Sequence, residues 1–165
     1  MQRRLVVAQF GLLALGACGF QLRGAPQLAF NSIYVSAAES SALGNELKRN
    51  LVSLGSLQVI NEAAAQSNAQ VILDVTFEQR EKTVVGVNAS GQVREFQIRL
   101  RVRFKLRTPQ GKELIPETEL LLQRDISFNE SAVLAKETEE GLMYRDMQSD
   151  IVQQLMRRLA AIKTL

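Results

Sequence analysis

The most regular pattern in the chain is VREFQIRLRVRFKLR at residues 93–107, and the fold class follows from it. Every second position is apolar: Phe96, Ile98, Leu100, Val102, Phe104 and Leu106. The positions between them are mostly basic: Arg99, Arg101, Arg103, Lys105 and Arg107. Because successive side chains of a β-strand point to opposite faces of the sheet, this alternation predicts a strand with one dry face and one charged face.

Two further segments alternate in the same way, at residues 71–80 and 117–128. In the first, the residues predicted to face inward are Val71, Leu73, Val75 and Phe77, and those predicted to face outward are Asp74, Thr76, Glu78 and Arg80. In the second, the inward set is Leu120, Leu122, Ile126 and Phe128, and the outward set is Glu117, Glu119 and Asp125. Turn-forming residues at 88–91 (NASG) and 108–111 (TPQG) separate the three segments, which predicts an antiparallel meander.

Shorter strand patterns and two helical stripes flank the meander. Residues 32–36 and 57–60 are strand candidates, and a helix capped by Ser40 or Ser41 and ended by Gly55 is predicted between them. Its apolar stripe is Leu43, Leu47, Leu51 and Leu54, and that of a C-terminal helix is Leu134, Met143, Met147, Ile151, Leu155, Leu159 and Ile162. We therefore predict one α+β domain over residues 32–165, with two helices on one face of a four-stranded, mostly antiparallel sheet.

The N-terminus has the pattern of a secretory signal. Two arginines precede a mostly apolar run at residues 5–15, which is too short to span a membrane, and LGAC follows at residues 15–18. LGAC resembles the bacterial lipobox, which implies that residues 1–17 are a lipoprotein signal peptide. Cys18 would then carry the lipid, and residues 18–31 would form a lipidated tether. The alternative is an ordinary cleaved signal, followed by a buried or paired cysteine.

Composition narrows the possible chemistry. Without residues 1–17 the chain has 18 basic and 17 acidic residues, so its bulk charge does not indicate a nucleic-acid partner. There is no histidine and Cys18 is the one cysteine, which excludes histidine-based triads and the usual zinc sites. Acidic clusters at Glu117/Glu119 and at residues 137–140 are interpreted as a solvated strand face and a helix start. We expect no enzyme activity, no cofactor and no metal.

The basic row at residues 99–107 has two possible interpretations. Acids on the neighbouring segments, namely Asp74, Glu78, Glu117, Glu119 and Asp125, could pair with it across the strands. Alternatively, Arg99, Arg101 and Arg103 could form a groove for an anionic ligand such as a phosphorylated glycolipid, since arginine suits bidentate binding of phosphate. The sequence leaves both interpretations open.

Several short motifs resemble one known family in their order and spacing. They are CGFQLR at residues 18–23, SGQ at 90–92, EFQ at 95–97 and AVLAKE at 132–137, followed by Met147, Gln154, Leu155, Arg158 and Leu159. The chain resembles the LptE (RlpB) family of lipopolysaccharide-assembly lipoproteins of the outer membrane. Gly19 agrees with this location, because an aspartate there would resemble the signal for retention in the inner membrane.

The resemblance implies a partner and a ligand. Family members plug the outer-membrane barrel LptD, assist its assembly and contact lipopolysaccharide, while a lipid anchor holds them on the periplasmic side. Lys136 occupies the position at which a basic residue of the family is implicated in contact with lipopolysaccharide. Ala89 departs from relatives that carry a basic residue there. The alternative is an outer-membrane lipoprotein that acts as an envelope adaptor or scaffold without binding lipopolysaccharide.

Overall fold

The computed structural model describes residues 27–165. The predicted signal peptide, Cys18 and most of the predicted tether lie outside the described residues. The strands are β1 (Ser32–Ser36), β2 (Gln58–Ile60), β3 (Val71–Val87), β4 (Val93–Arg107) and β5 (Glu113–Ser127), and the helices are α1 (Ala42–Ser53) and α2 (Val133–Ala160). Phe30 is only 2% exposed, so core packing begins before β1.

The five strands form one mixed sheet in the order β2-β1-β3-β4-β5. The meander β3-β4-β5 is antiparallel, as predicted, whereas β1 runs parallel to both of its neighbours. The α+β class is confirmed, but the sheet has five strands where we predicted four. The fifth is β2, which follows the α1 crossover and aligns Gln58 with Ser32 of β1. Residues 57–60 were a strand candidate, but a pairing of only three residues gives little sign in the sequence of which strand they join.

Both helices pack on the same face of the sheet, which we call the helix face; the opposite side is the outer face. Ser41 caps α1 by accepting a hydrogen bond from the Gly44 N–H at 2.8 Å, and Gly55 follows the helix with a φ of 70°. One apolar cluster joins the two helices to the inward residues of β4. The buried residues of α2 begin only at Tyr144, and Leu134, predicted to belong to its apolar stripe, is 80% exposed. The first turns of α2 therefore extend beyond the fully buried core.

A β-bulge in β3 changes which side chains face the helices. Val75 lies opposite Phe104, but Phe77 lies opposite Arg103, so Thr76 is an extra residue in the strand. From Phe77 to Val84 the two faces of β3 are exchanged, because a shift of one residue moves the side chains that follow it to the other side. The register shifts again between Val84 and Gly86. Our assignment of Phe77 to the dry face and of Glu78 and Arg80 to the outer face was therefore wrong.

The two hairpin turns have the same construction. In residues 88–92 the Asn88 N–H donates to the Gln92 carbonyl, and in residues 108–112 the Thr108 N–H donates to the Lys112 carbonyl, each at 2.9 Å. Gly91 and Gly111 have φ values of 78° and 92°, a region that disfavours residues with a Cβ. Both predicted turns are confirmed. Residues 88–92 mark the end of the sheet that we call distal.

Candidate functional site

The arginines at the centre of the outer face are paired within the sheet. Glu119 accepts hydrogen bonds from Arg101 at 2.8 Å and from Arg103 at 3.0 Å. Arg101 also lies 3.6 Å from Glu81 of β3. The pKa of the Glu119 carboxyl lies below its usual value, chiefly because of the hydrogen bond from Arg103, with a further contribution from Arg101. The carboxylate thus stays ionised between two cations.

The two ends of the row are held in different ways. Arg107 donates a hydrogen bond of 2.7 Å to Asp74, which was one of the predicted acidic partners. Arg99 donates to the side-chain oxygen of Gln97, whose amide in turn donates to Asp125 at 3.0 Å. Direct ion pairs therefore hold Arg101, Arg103 and Arg107, whereas Arg99 reaches a carboxylate only through Gln97. Glu78, predicted as another partner, lies on the helix face.

A different charged site, with two lysines, lies on the helix face at the distal end. The first turns of α2 and the distal ends of β3, β4 and β5 enclose a cleft of about 210 Å³. We call it the distal cleft and define it by Lys82, Phe96, Phe128, Val133, Lys136 and Glu140. The Phe96 and Phe128 rings meet edge to face, with centroids 5.2 Å apart, and form its aromatic floor.

Each of the two lysines of the distal cleft already has a carboxylate partner. The Lys136 Nζ donates to Glu139 at 2.8 Å and to the Ser127 hydroxyl at 3.1 Å. The Lys82 Nζ donates to Glu140 at 2.6 Å and lies 4.3 Å from the centre of the Phe96 ring. Both ammonium groups therefore stand beside an apolar floor and within reach of acids on α2.

Polar contacts hold α2 in place beside the distal cleft. The Tyr144 hydroxyl donates to the Glu81 carbonyl at 2.7 Å, and burial, followed by the nearby charge of Glu140, raises its pKa. Gln148, only 7% exposed, accepts a hydrogen bond from Arg80 and donates one to Glu46 of α1. These contacts link α2 to both β3 and α1, and so they position the wall of the cleft.

The sequence-nominated residues do not form one site. Lys136 lies in the distal cleft, whereas Arg99, Arg101 and Arg103 lie on the outer face. Sequence reasoning missed Lys82, because the simple alternation of β3 gave no sign of the bulge that puts it on the helix face. A second hollow, of about 560 Å³, lies between the start of α1 and β3, where Glu78 accepts a hydrogen bond from Ser41.

Two further features concern the described part of the chain alone. None of the helices in residues 27–165 has both the length and the apolar character needed to cross a membrane. In the same residues, histidine, cysteine and acidic side chains do not gather in groups of three or more that could hold a metal ion.

Solved structures share this fold. The lipoprotein B of Nitrosomonas europaea, described as uncharacterized, superposes with a TM-score of 0.73 at 34% identity and covers 87% of this chain and 91% of its own. The rare lipoprotein B of Shewanella oneidensis gives a TM-score of 0.65 at 19% identity, with 79% and 95% covered. The second similarity bears on the fold alone.

Curated relatives and a family model agree with the resemblance noted in the sequence. The LPS-assembly lipoprotein LptE of Pectobacterium atrosepticum is 25% identical over 166 residues, which covers 98% of this chain and 88% of the relative. The protein of the same name from Yersinia pestis (strain Pestoides F) is 26% identical over 167 residues, with 98% and 78% covered. The family model described as "LptE: Lipopolysaccharide-assembly" matches residues 30–159, and the chain therefore belongs to the LptE family.

Proposed function

We propose that this chain is an outer-membrane lipoprotein that plugs the LptD barrel, assists its assembly and binds lipopolysaccharide on its way to the outer leaflet. Membership of the LptE family and the name of the curated relatives, LPS-assembly lipoprotein, support a role in lipopolysaccharide assembly. The observation that carries the ligand part of the proposal is the distal cleft, with its two lysines and an aromatic floor.

The chemistry of the distal cleft suits a phosphorylated and acylated ligand. An ammonium group makes charge-assisted hydrogen bonds to phosphate oxygens, and these are stronger than bonds between neutral groups. The floor of Phe96 and Phe128 supplies apolar surface beside the Lys136 ammonium. Lys136 is therefore our first candidate for contact with lipopolysaccharide, while Arg99, Arg101 and Arg103 remain secondary candidates.

The outer face suits the proposed role as a plug. The lumen of a large outer-membrane barrel is polar, so a protein inside it needs a polar exterior around its own core. Arg101, Arg103 and Arg107 meet that need with their charges already paired to Glu119, Glu81 and Asp74. These three arginines can dock against polar groups without leaving their charges unpaired at the interface.

The proposed anchor would leave the folded body close to the membrane. We propose that Cys18 is acylated and that residues 1–17 are removed. The twelve peptide units from Cys18 to the buried Phe30 could then span at most about 40 Å when fully extended. This reach would keep the domain near the inner leaflet, where the lumen of a barrel opens to the periplasm.

We propose a binding role without catalysis. The alternative is a lipoprotein that serves as an envelope adaptor or scaffold and does not bind lipopolysaccharide. Both hypotheses are compatible with the same fold and the same lipid anchor. They differ in the barrel partner and in the ligand, so two experiments separate them.

Purification of the full chain in mild detergent, through a C-terminal tag, tests the partner. We expect a much larger outer-membrane barrel, identified as LptD by mass spectrometry, to copurify. Depletion of the protein should increase the permeability of the outer membrane to large antibiotics. Recovery of the protein alone, together with an unchanged permeability barrier, would contradict the proposed role in the barrel.

Binding of purified lipopolysaccharide to the acylated protein tests the ligand. Lys136→Asp reverses one charge in the distal cleft and should weaken binding about tenfold, because it removes a charge-assisted hydrogen bond and adds repulsion. Lys112→Asp makes the same change in the turn at the opposite end of β4 and serves as the matched control. Equal affinities of the two variants would remove Lys136 from the ligand site.

A further inference from the structure

We infer that Lys82 is a second anion contact in the distal cleft, and that phosphate groups of the ligand displace Glu140 from Lys82 and Glu139 from Lys136. The two carboxylates thus compete with the ligand for the lysines. This inference rests on the proposed function and concerns the same cleft. The class of ligand is an amphiphile that carries both phosphate groups and acyl chains. The Lys82–Glu140 contact would then be an exchangeable ion pair as well as a link between β3 and α2.

Lys82 is placed for this role by the bulge in β3. The residue lies opposite Ile98 of β4, whose side chain is fully buried on the helix face. Without the extra residue Thr76, Lys82 would point to the outer face. The bulge instead brings its ammonium into the cleft that Lys136 also lines, so two cations on different elements approach one concave space.

The Phe96 ring holds Lys82 independently of its carboxylate partner. The ammonium lies 4.3 Å from the ring centre, a distance at which a cation is attracted to the face of an aromatic ring. Phe96 is in turn packed edge to face on Phe128. When Glu140 is displaced, Lys82 therefore keeps a contact that holds it in the cleft and needs little reordering to meet a phosphate oxygen.

Glu139 and Glu140 can separate from their lysines and remain in contact with solvent. The side chains of Lys82 and Glu140 are 36% and 21% exposed, and that of Glu139 is 43% exposed. Ion pairs with such access to solvent contribute little to stability, so their exchange for a phosphate costs little. The same carboxylates can return when the ligand leaves. The cleft is thus suited to reversible contact with a ligand in transit.

Whether a carboxylate substitution raises or lowers the affinity for lipopolysaccharide distinguishes an exchangeable ion pair from a purely structural one. We expect Glu140→Gln to raise the affinity for purified lipopolysaccharide about threefold, because the ligand no longer competes with a charge for Lys82. Lys82→Gln should lower it about three- to tenfold, and Lys82→Arg should largely retain it. A purely structural pair would instead make both Glu140→Gln and Lys82→Gln bind more weakly. Thermal unfolding of each variant, followed by circular dichroism, measures the effect on stability separately.

Two controls make the result specific to the cleft and to phosphate. Asp74→Asn removes the carboxylate that pairs with Arg107, a cation of the outer face that is not a candidate contact, and we expect it to leave the affinity unchanged. Enzymatically dephosphorylated lipopolysaccharide should bind the wild-type protein and Lys82→Gln equally. Tighter binding by Asp74→Asn would show that release of any paired cation raises the affinity, and would overturn the specific role of the Lys82–Glu140 pair.

The remaining outcomes separate this inference from the proposed function. Binding of lipopolysaccharide by the wild-type protein that neither Lys82→Gln nor Glu140→Gln alters would overturn the inference and leave the proposed function standing. Weaker binding by Glu140→Gln would also overturn it, because the carboxylate would then assist the ligand. Absence of any binding by the acylated wild-type protein would overturn both.

Discussion

The outer face and the distal cleft combine the same kinds of side chain in different ways. Each brings cations onto an aromatic ring: Arg103 lies 5.0 Å from the centre of Phe77 on the outer face, and Lys82 lies 4.3 Å from that of Phe96 in the cleft. Each also supplies carboxylates within hydrogen-bonding distance. The outer face has more cations, but they lie along a strand and are matched by acids on both neighbouring strands.

The difference shows that the number of charges is a poor guide to a binding site. On the outer face, Glu119 serves both Arg101 and Arg103 and Asp74 pairs with Arg107, so three of the five cations of the row are held by acids of the same sheet. In the cleft, Lys82 and Lys136 come from different elements and meet around an enclosed space with an apolar floor. The cleft combines concavity with apolar surface, and these are the properties that ligand sites commonly share.

Replacement of one aromatic ring in each region should give the largest difference, and this difference is in the free energy of unfolding. Phe96→Ala removes a ring that is packed against the core and against Phe128, and should lower the free energy of unfolding by about 2–3 kcal/mol. Phe77→Ala removes a ring on the outer face and should cost about 1 kcal/mol. Urea unfolding of both variants measures the two values.

Equal losses of unfolding free energy in Phe96→Ala and Phe77→Ala would contradict the proposed difference between the two regions. They would mean that the outer face depends on its ring as much as the cleft does. Phe96→Leu is a useful further variant, because it keeps apolar volume and loses the ring. We expect it to recover about half of the stability lost in Phe96→Ala.

A smaller effect is expected from Tyr144, which fixes the wall of the cleft. Tyr144→Phe keeps the ring and removes the hydrogen bond to the Glu81 carbonyl, so it should lower the free energy of unfolding by about 1 kcal/mol. Amide hydrogen exchange should become faster in the first turns of α2 and around Lys82. Exchange in β5 near Glu119 should stay unchanged, and a uniform increase throughout the protein would contradict a local role.

The smallest effect is the titration of Glu119 on the outer face. The folded pKa of Glu119 lies below the ordinary value of 4.5, so its ion pairs add stability above that pH. This contribution is lost as the pH falls through the folded pKa. Carboxyl NMR should find Glu119 titrating below 4.5 in the wild type and at a higher pH in Arg103→Gln. The same pKa in both proteins would show that Arg103 does not hold the carboxylate.

Much of the fold could be predicted because its signals are local. The alternation of β4, the turn residues before Gly91 and Gly111, and the leucine stripe of α1 each depend on residues that are close in sequence. The three long strands, both hairpins and both helices followed from these patterns. The exposure of Leu134 did not, because a periodic apolar residue is buried only where the helix has a partner.

Less of the candidate site could be predicted. Lys136 was nominated from the family resemblance, and the pairing of Arg101, Arg103 and Arg107 with acids was one of two interpretations that the sequence left open. Lys82 was not nominated at all, because its position depends on a bulge at Thr76, six residues earlier along β3. Alternation alone does not show where an extra residue enters a strand.

The sequence by itself determined the α+β class, the antiparallel meander and membership of the LptE family, since local periodicity and motif order are properties of the chain alone. Only the tertiary structure decided which face the charged residues of β3 after Thr76 occupy. The register of β3 against β4 sends Lys82 to the helix face, and the packing of α2 then brings Lys136 to the same cleft. Register and packing are set by contacts between residues far apart in sequence, and so they leave no local pattern to read.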